Sequence, residues 1–255
     1  MPLEDYLPFQ IYSFLLVFAR VGSMLILMPG VGEGFIQTRI RIYFGVGFAV
    51  VVTPIIQPLL PPEPQNAVAL FTLLFWEVVI GLYFGIITRI LLLTMDTLGR
   101  IVSFQTGLAA ATAFNPSISE QGTLIGLLFT TLAILMLFIF NLHHVLLMAI
   151  VDSYSMFRAG AAPPFESLAE AVSRVTQDSF RVAVQFSAPF MVIGLIFFAS
   201  MGIVSRLMPQ LQIFFIGIPI QLILGFVITS SILGALMRLF LEYYTSGITD
   251  FLVPQ

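Results

Sequence analysis

Apolar residues run along this chain in six long blocks, at roughly 8–28, 42–60, 69–95, 123–150, 182–204 and 213–241. Each is long enough for a helix across a ~30 Å hydrocarbon core, which takes about 20 residues. The third block, as a helix rising ~1.5 Å per residue, exceeds that core and must tilt, kink or extend beyond it. The sixth is of similar length and carries Pro219 near its start. The pattern predicts an all-α, polytopic membrane-type chain of long helices and helical hairpins.

The polar intervals differ in kind. Pro29 to Arg39, PGVGEGFIQTR, reads as a tight irregular turn, and Gln57 to Gln65, QPLLPPEPQ, as a semi-rigid proline-rich link. Residues 151–181 hold most of the soluble character. There Pro163-Pro164 precedes Ser167-x-x-Glu170, a capping-box pattern. Leu168, Val172, Val175 and Val182 follow at helical spacing, so a short amphipathic helix is expected to run into the fifth block. Beyond Asp96, Leu98, Val102, Gln105 and Leu108 form one stripe and Asp96, Arg100, Ser103 and Gly107 another. The third helix therefore continues past its apolar block, with Asp96 and Arg100 placed to pair at i,i+4.

Composition narrows the class. The chain is 59% hydrophobic and 9% charged, against roughly 25% charged in ordinary soluble domains. Only a membrane protein, or one whose exterior is covered by partner helices, accommodates that balance. All ten basic residues are Arg, the net charge is −3, and no basic patch suggests nucleic acid. The chain has no Cys and so no thiol chemistry. The opening MPLEDYLPF is acidic where a signal peptide is basic, so the first block is expected to remain in the mature protein. Loop charges give conflicting orientations. Arg39 and Arg41 in the first connection favour an outside N-terminus, whereas Arg158, Arg174 and Arg181 in the fourth then fall outside too.

Three charges lie inside apolar blocks: Arg20, Glu77 and Arg89. A charge at the bilayer centre costs about 2.5–3.5 kcal/mol on insertion scales, so each must face a partner, a cavity or water. A bound partner is one reading and a transport coupling site the other. Glu77, Gly81 and Gly85 share a helix face, and Gly81-x-x-x-Gly85, like Gly122-x-x-x-Gly126, is a small-residue packing motif. His143 and His144 are adjacent, not at the i,i+4 spacing of a zinc pair, and no metal site is expected. No Walker A loop, nucleophile elbow or His-Glu-x-x-His occurs, so neither catalytic residues nor a cofactor are expected.

Thr106 to Gly122, TGLAAATAFNPSISEQG, is small-sided, apolar and broken at Asn115-Pro116. Irregular backbone cannot face lipid, because each unsatisfied N–H or C=O costs several kcal/mol; it must be buried in protein or line a watery cavity. Gly107, Ala110 and Ala111 permit close backbone approach, and Phe114 offers one bulky knob. Two readings stay open from these residues alone: a packing loop, and a constriction or plug in a conduit.

The run Arg206-Leu-Met-Pro209-Gln210-Leu-Gln-Ile213-Phe214-Phe-Ile-Gly217-Ile-Pro219 resembles the signature of the FliR family, integral components of the flagellar type III protein export gate. Arg20, Pro29, Arg39 and Glu77 with Gly81 and Gly85 also sit as in that family. Phe140-Asn141-Leu142-His143 is similar to a family Phe-Asn-Gly-His, with Leu142 in place of Gly. The resemblance spans nearly the whole chain, and its Pro-Gln-x-x-Ile-Phe run favours the flagellar branch over the virulence-secretion one. It implies one copy of this chain in the bacterial inner membrane at the flagellar basal body, assembled with several FliP-like and FliQ-like subunits. FlhB-like and FlhA-like export components are implied neighbours, unfolded flagellar proteins the cargo and membrane lipid the surroundings. It implies a single domain over 1–255, with a FliP-like portion at about 1–181 and a FliQ-like hairpin at 182–241. It also implies a pore plug at Gly107, Ala110, Ala111, Phe114, Asn115, Pro116, Gln121 and Gly122. Helix packing and assembly would fall to Arg20, Pro29, Glu77, Gly81, Gly85, Arg206, Pro209, Gln210, Phe214, Gly217 and Pro219. The competing expectation is a self-contained secondary transporter using Glu77 and Arg89.

Overall fold

The computed structural model describes residues 3–108, 123–208 and 213–252. Seven α-helices account for nearly all of them: α1 (Leu3–Leu27), α2 (Thr38–Ile56), α3 (Ala67–Gln105), α4 (Leu124–Ile139), α5 (Leu142–Met156), α6 (Phe165–Leu207) and α7 (Ile213–Leu252). A 3₁₀ turn, Gln57–Leu59, follows α2, and no strand occurs among the described residues. The all-α expectation holds. Among the described residues five helices are long and apolar enough to cross a membrane, giving up to six spans if α4 and α5 form one broken span.

Two boundaries differ from the sequence pattern. The fourth block is two helices, not one. Asn141 takes a left-handed conformation, φ 58°, the only positive φ at a non-glycine among the described residues. Its N–H closes on Phe138 O, and its carbonyl receives His144 N–H, so one residue ends α4 and opens α5. Asn visits this region more readily than other non-glycine residues, which is why the break falls there without Gly or Pro. The capping box also fails to form. Pro163-Pro164 starts α6 earlier than Ser167, whose hydroxyl instead donates back to Pro164 O at 2.9 Å. Glu170 pairs with Arg174 one turn on. The amphipathic start does run unbroken into the fifth block, as expected.

α3 shows how the pattern becomes structure. Ile80, Phe84, Ile87, Leu91, Met95, Leu98 and Val102 recur every three to four residues and are buried, the stripe a core-facing helix needs. Phe71, Phe75, Val78, Ile86, Leu93 and Phe104 lie on its exposed side. Two compact units divide the chain. One comprises Met1–Leu91, Phe138–Thr176 and Thr245–Gln255; the other comprises Leu92–Leu137 and Gln177–Tyr244. The core of the first includes Leu16, Val17, Met24, Val52, Phe84 and Ile150. That of the second includes Phe129, Ala133, Phe190, Met237 and Phe240.

Much apolar side chain stays uncovered. Within its most apolar window only 22% of α6 is buried by the rest of the chain, against 50% for α1. With 39, 43 and 40 residues, α3, α6 and α7 each reach roughly 60 Å, about twice a hydrocarbon core.

Candidate functional site

The first unit is organised around a buried ion pair. Arg20 of α1 and Glu77 of α3 are 1% and 0% exposed. They meet in a two-pronged contact, Nε to Oε2 at 2.7 Å and Nη2 to Oε1 at 3.2 Å. Arg20 Nη1 donates to Ser153 Oγ of α5 at 3.2 Å, and both Nη1 and Nη2 donate to Phe157 O at 3.2 Å. These contacts match the five N–H donors of a guanidinium. Gly160 N–H adds a third bond to Glu77, at 2.8 Å to Oε1. The guanidinium also lies 3.8 Å above the Tyr154 ring, a cation–π geometry. The pair thus ties α1, α3, α5 and the turn before α6 together, and the partner of each charge is in the chain itself.

The glycines explain how the helices come so close. A Cβ on Gly81 would lie 2.0 Å from Ser23 Oγ and 2.2 Å from Arg20 O. One on Gly85 would lie 2.9 Å from Leu27 Cβ and 3.1 Å from Met24 O. The Gly81-x-x-x-Gly85 face therefore packs on α1, with no room left for another chain's helix. Gly160 has φ +74°, and its Cβ would press on Leu73 at 2.2 Å. Arg89, the third charge within an apolar block, pairs with Glu33 of the turn after α1. Arg41 donates to Val31 O and Glu33 O at 3.1 and 3.0 Å, and Gly30 supplies the left-handed bend at φ 85°. Pro29 is buried beside it, whereas Arg39 is exposed.

The second unit holds the N-terminal root of the small-residue stretch. α3 ends at Gln105, and Gly107 turns the chain at φ 74°, the left-handed residue that commonly stops a helix. Asp96 and Arg100 pair at 2.8 Å, as their spacing predicts. α3 and α4 approach backbone to backbone, since a Cβ on Gly99 would sit 2.2 Å from Gly126 Cα. Ala110, Ala111, Phe114, Asn115, Pro116, Gln121, Gly122, Pro209 and Gln210 lie outside the described residues. Arg206 is exposed near the end of α6. Phe214 and Pro219 fall in the opening turns of α7, and Gly217, buried, leaves space for Met201, 2.7 Å from where its Cβ would be.

Within the first unit the structure brings Arg20, Glu77, Gly81 and Gly85 into one site. Ser153, Tyr154, Phe157 and Gly160 belong to that site yet carried no sequence signal beyond a glycine before paired prolines. Gln221, Gly194 and Gly225 were also passed over, although a Gln inside IPIQLILG is a polar residue in an apolar helix. The His143 and His144 rings are tilted by 38° with centroids 4.1 Å apart, and Phe138 stacks on His143 at 4.7 Å.

Residues 11–247 match the sequence model of the family described as bacterial export proteins, family 1. The chain is 35% identical over 236 residues to the flagellar biosynthetic protein FliR of Caulobacter vibrioides, covering 92% of this chain and 94% of the relative. Its identity to the FliR of Bacillus subtilis is 30% over 218 residues, covering 84% and 83%. It is also 24% identical over 230 residues to the Yop proteins translocation protein T of Yersinia pestis, covering 86% and 85%.

Proposed function

The chain belongs to the bacterial export proteins, family 1, and from that premise we propose that it is a membrane-embedded component of a flagellar type III export apparatus. In this reading it is one structural subunit of the export gate, assembled with FliP-like and FliQ-like subunits around a conduit for unfolded flagellar proteins. FlhA-like and FlhB-like components would adjoin it in the inner membrane at the basal body. Residues 182–241 would supply the FliQ-like hairpin, and the stretch from Gly107 to Gly122 the plug. The observation that carries the proposal is the similarity to a flagellar biosynthetic protein over 92% of this chain and 94% of that relative. The uncovered apolar sides of α3 and α6 support it, because helices twice as long as a bilayer core need protein cover over part of their length.

A self-contained transporter fits less well. Glu77 is closed to water, with Arg20 and Gly160 N–H on its two oxygens, and Arg89 is engaged by Glu33. Glu77 is therefore not poised to exchange a proton with water.

Deleting Ala110 to Pro116 in cells tests the plug. The assembled complex should form at normal yield and leak small ions. Unchanged permeability in a fully assembled complex contradicts the plug role. Transport by vesicles holding this chain alone, abolished by Glu77→Gln, would instead favour the transporter.

A further inference from the structure

We infer that Gln221, Gly194 and Gly225 pin the end of α3 in place, so that the loop beginning at Gly107 springs from a fixed mount and Gln221 is its positioning residue. This rests on the plug reading of that loop. The last carbonyls of a helix lack intrahelical partners, and helix ends ordinarily fray. Here the final carbonyl of α3 is held: Gln221 Nε2 of α7 donates to Gln105 O at 2.7 Å, and Gln221 is 8% exposed. The Gln105 side chain occupies the space left by Gly194 of α6, where a Cβ would come within 2.3 Å of Gln105 Oε1. Thr106, 3% exposed, sits in the notch at Gly225, where a Cβ would lie 2.3 Å from its Cγ2 and 2.7 Å from its Cβ. Gly107 then turns the chain, with the Gln221 carboxamide 3.4 Å from where a Cβ would stand. Two consecutive residues are thus gripped from two helices, and the first freely turning position is Gly107. The described backbone is held as far as Thr106, and Gly107 is where that hold ends.

The test compares four variants in cells that carry the complete complex: deletion of Ala110 to Pro116, Gln221→Met, Gly225→Ala, and Gly225→Ala with Thr106→Gly. Complex yield and sodium leak are read in each. Gln221→Met keeps the length but removes the donor. Gly225→Ala expels Thr106, and Thr106→Gly restores the room, so the double variant separates the mount from general packing. Gln221→Met should raise leak about fivefold or more at unchanged yield, the ratio that follows from one buried hydrogen bond lost, and Gly225→Ala should raise it too by displacing Thr106. The double variant should return toward wild type. If the deletion leaks while both single variants stay tight, the mount falls and the plug stands.

If the deletion itself is tight, the plug reading falls, and a disulfide lock judges the mount alone. The chain has no Cys, so Thr106→Cys with Gly225→Cys introduces an isolated pair, close enough to close with a small shift toward the ~3.5–4.5 Å between Cβ atoms that a disulfide needs. With an immobile mount, the variant exports at the same rate after oxidation as in its reduced form. Export lost on oxidation and regained on reduction overturns the inference.

Discussion

Replacing Glu77 by Gln puts the buried pair to a quantitative trial. The change preserves volume and removes one charge. A carboxamide has a single acceptor oxygen, so it cannot serve Arg20 Nε, Arg20 Nη2 and Gly160 N–H as the carboxylate does. Its NH₂ would point at a guanidinium N–H, and Arg20, 1% exposed, would keep its charge with no counterion. Removing one partner of a buried pair costs about 3–5 kcal/mol. For a chain near this length each kcal/mol is worth roughly 2–4 °C, which places the loss on the order of 10 °C. The assay is the thermal midpoint of the detergent-solubilised complex, followed through a fluorescent tag on this chain and read by size-exclusion chromatography. Arg20→Met combined with Glu77→Met removes both charges. It takes the partner from Gly160 N–H and from Phe157 O, at about 1–3 kcal/mol each, and should therefore also melt below wild type. A midpoint for Glu77→Gln indistinguishable from wild type would refute the reasoning.

Gly81→Leu should abolish recovery of folded chain, because its side chain would overlap Ser23 and the Arg20 carbonyl; Gly202→Ala, where a Cβ meets open space, should leave the yield unchanged. Gly160→Ala forces an L side chain into φ +74° and should lower the thermal midpoint, with a cost of about 1–2 kcal/mol. Asn141→Gly should be tolerated at the α4–α5 break and Asn141→Val should not, as judged by the same melting assay, since only the β-branched side chain resists a left-handed backbone. A Val variant that melts like wild type would show that the break does not depend on Asn141.

Much of this fold was legible because apolar length and 3.6-residue periodicity are local properties. The six blocks, the continuation of α3 past Asp96, the Asp96–Arg100 pair and the entry of the amphipathic segment into α6 all follow from them. The break at Asn141 was missed because apolar residues continue on both sides and the backbone preference of a single Asn is weak. The capping box was misread because the paired prolines already supply a helix start, leaving Ser167 inside α6. Arg20 and Glu77 were each recognised as needing a counterpart. Their mutual pairing lies 57 positions apart in the chain; the Gly81-x-x-x-Gly85 motif marks the face on which a helix can approach, but no local pattern says that the helix is α1. Gln221 escaped for a similar reason, as its acceptor is a backbone carbonyl and every residue has one.

The central claim is that these helices complete their apolar cover with other subunits around a conduit. Intact-mass measurement of the detergent-solubilised complex, captured through a tag on this 28.2 kDa chain, tests it most directly. The account predicts one copy of this chain held with several copies of each of two other helical membrane subunits. A stable, monodisperse species containing this chain alone would contradict it.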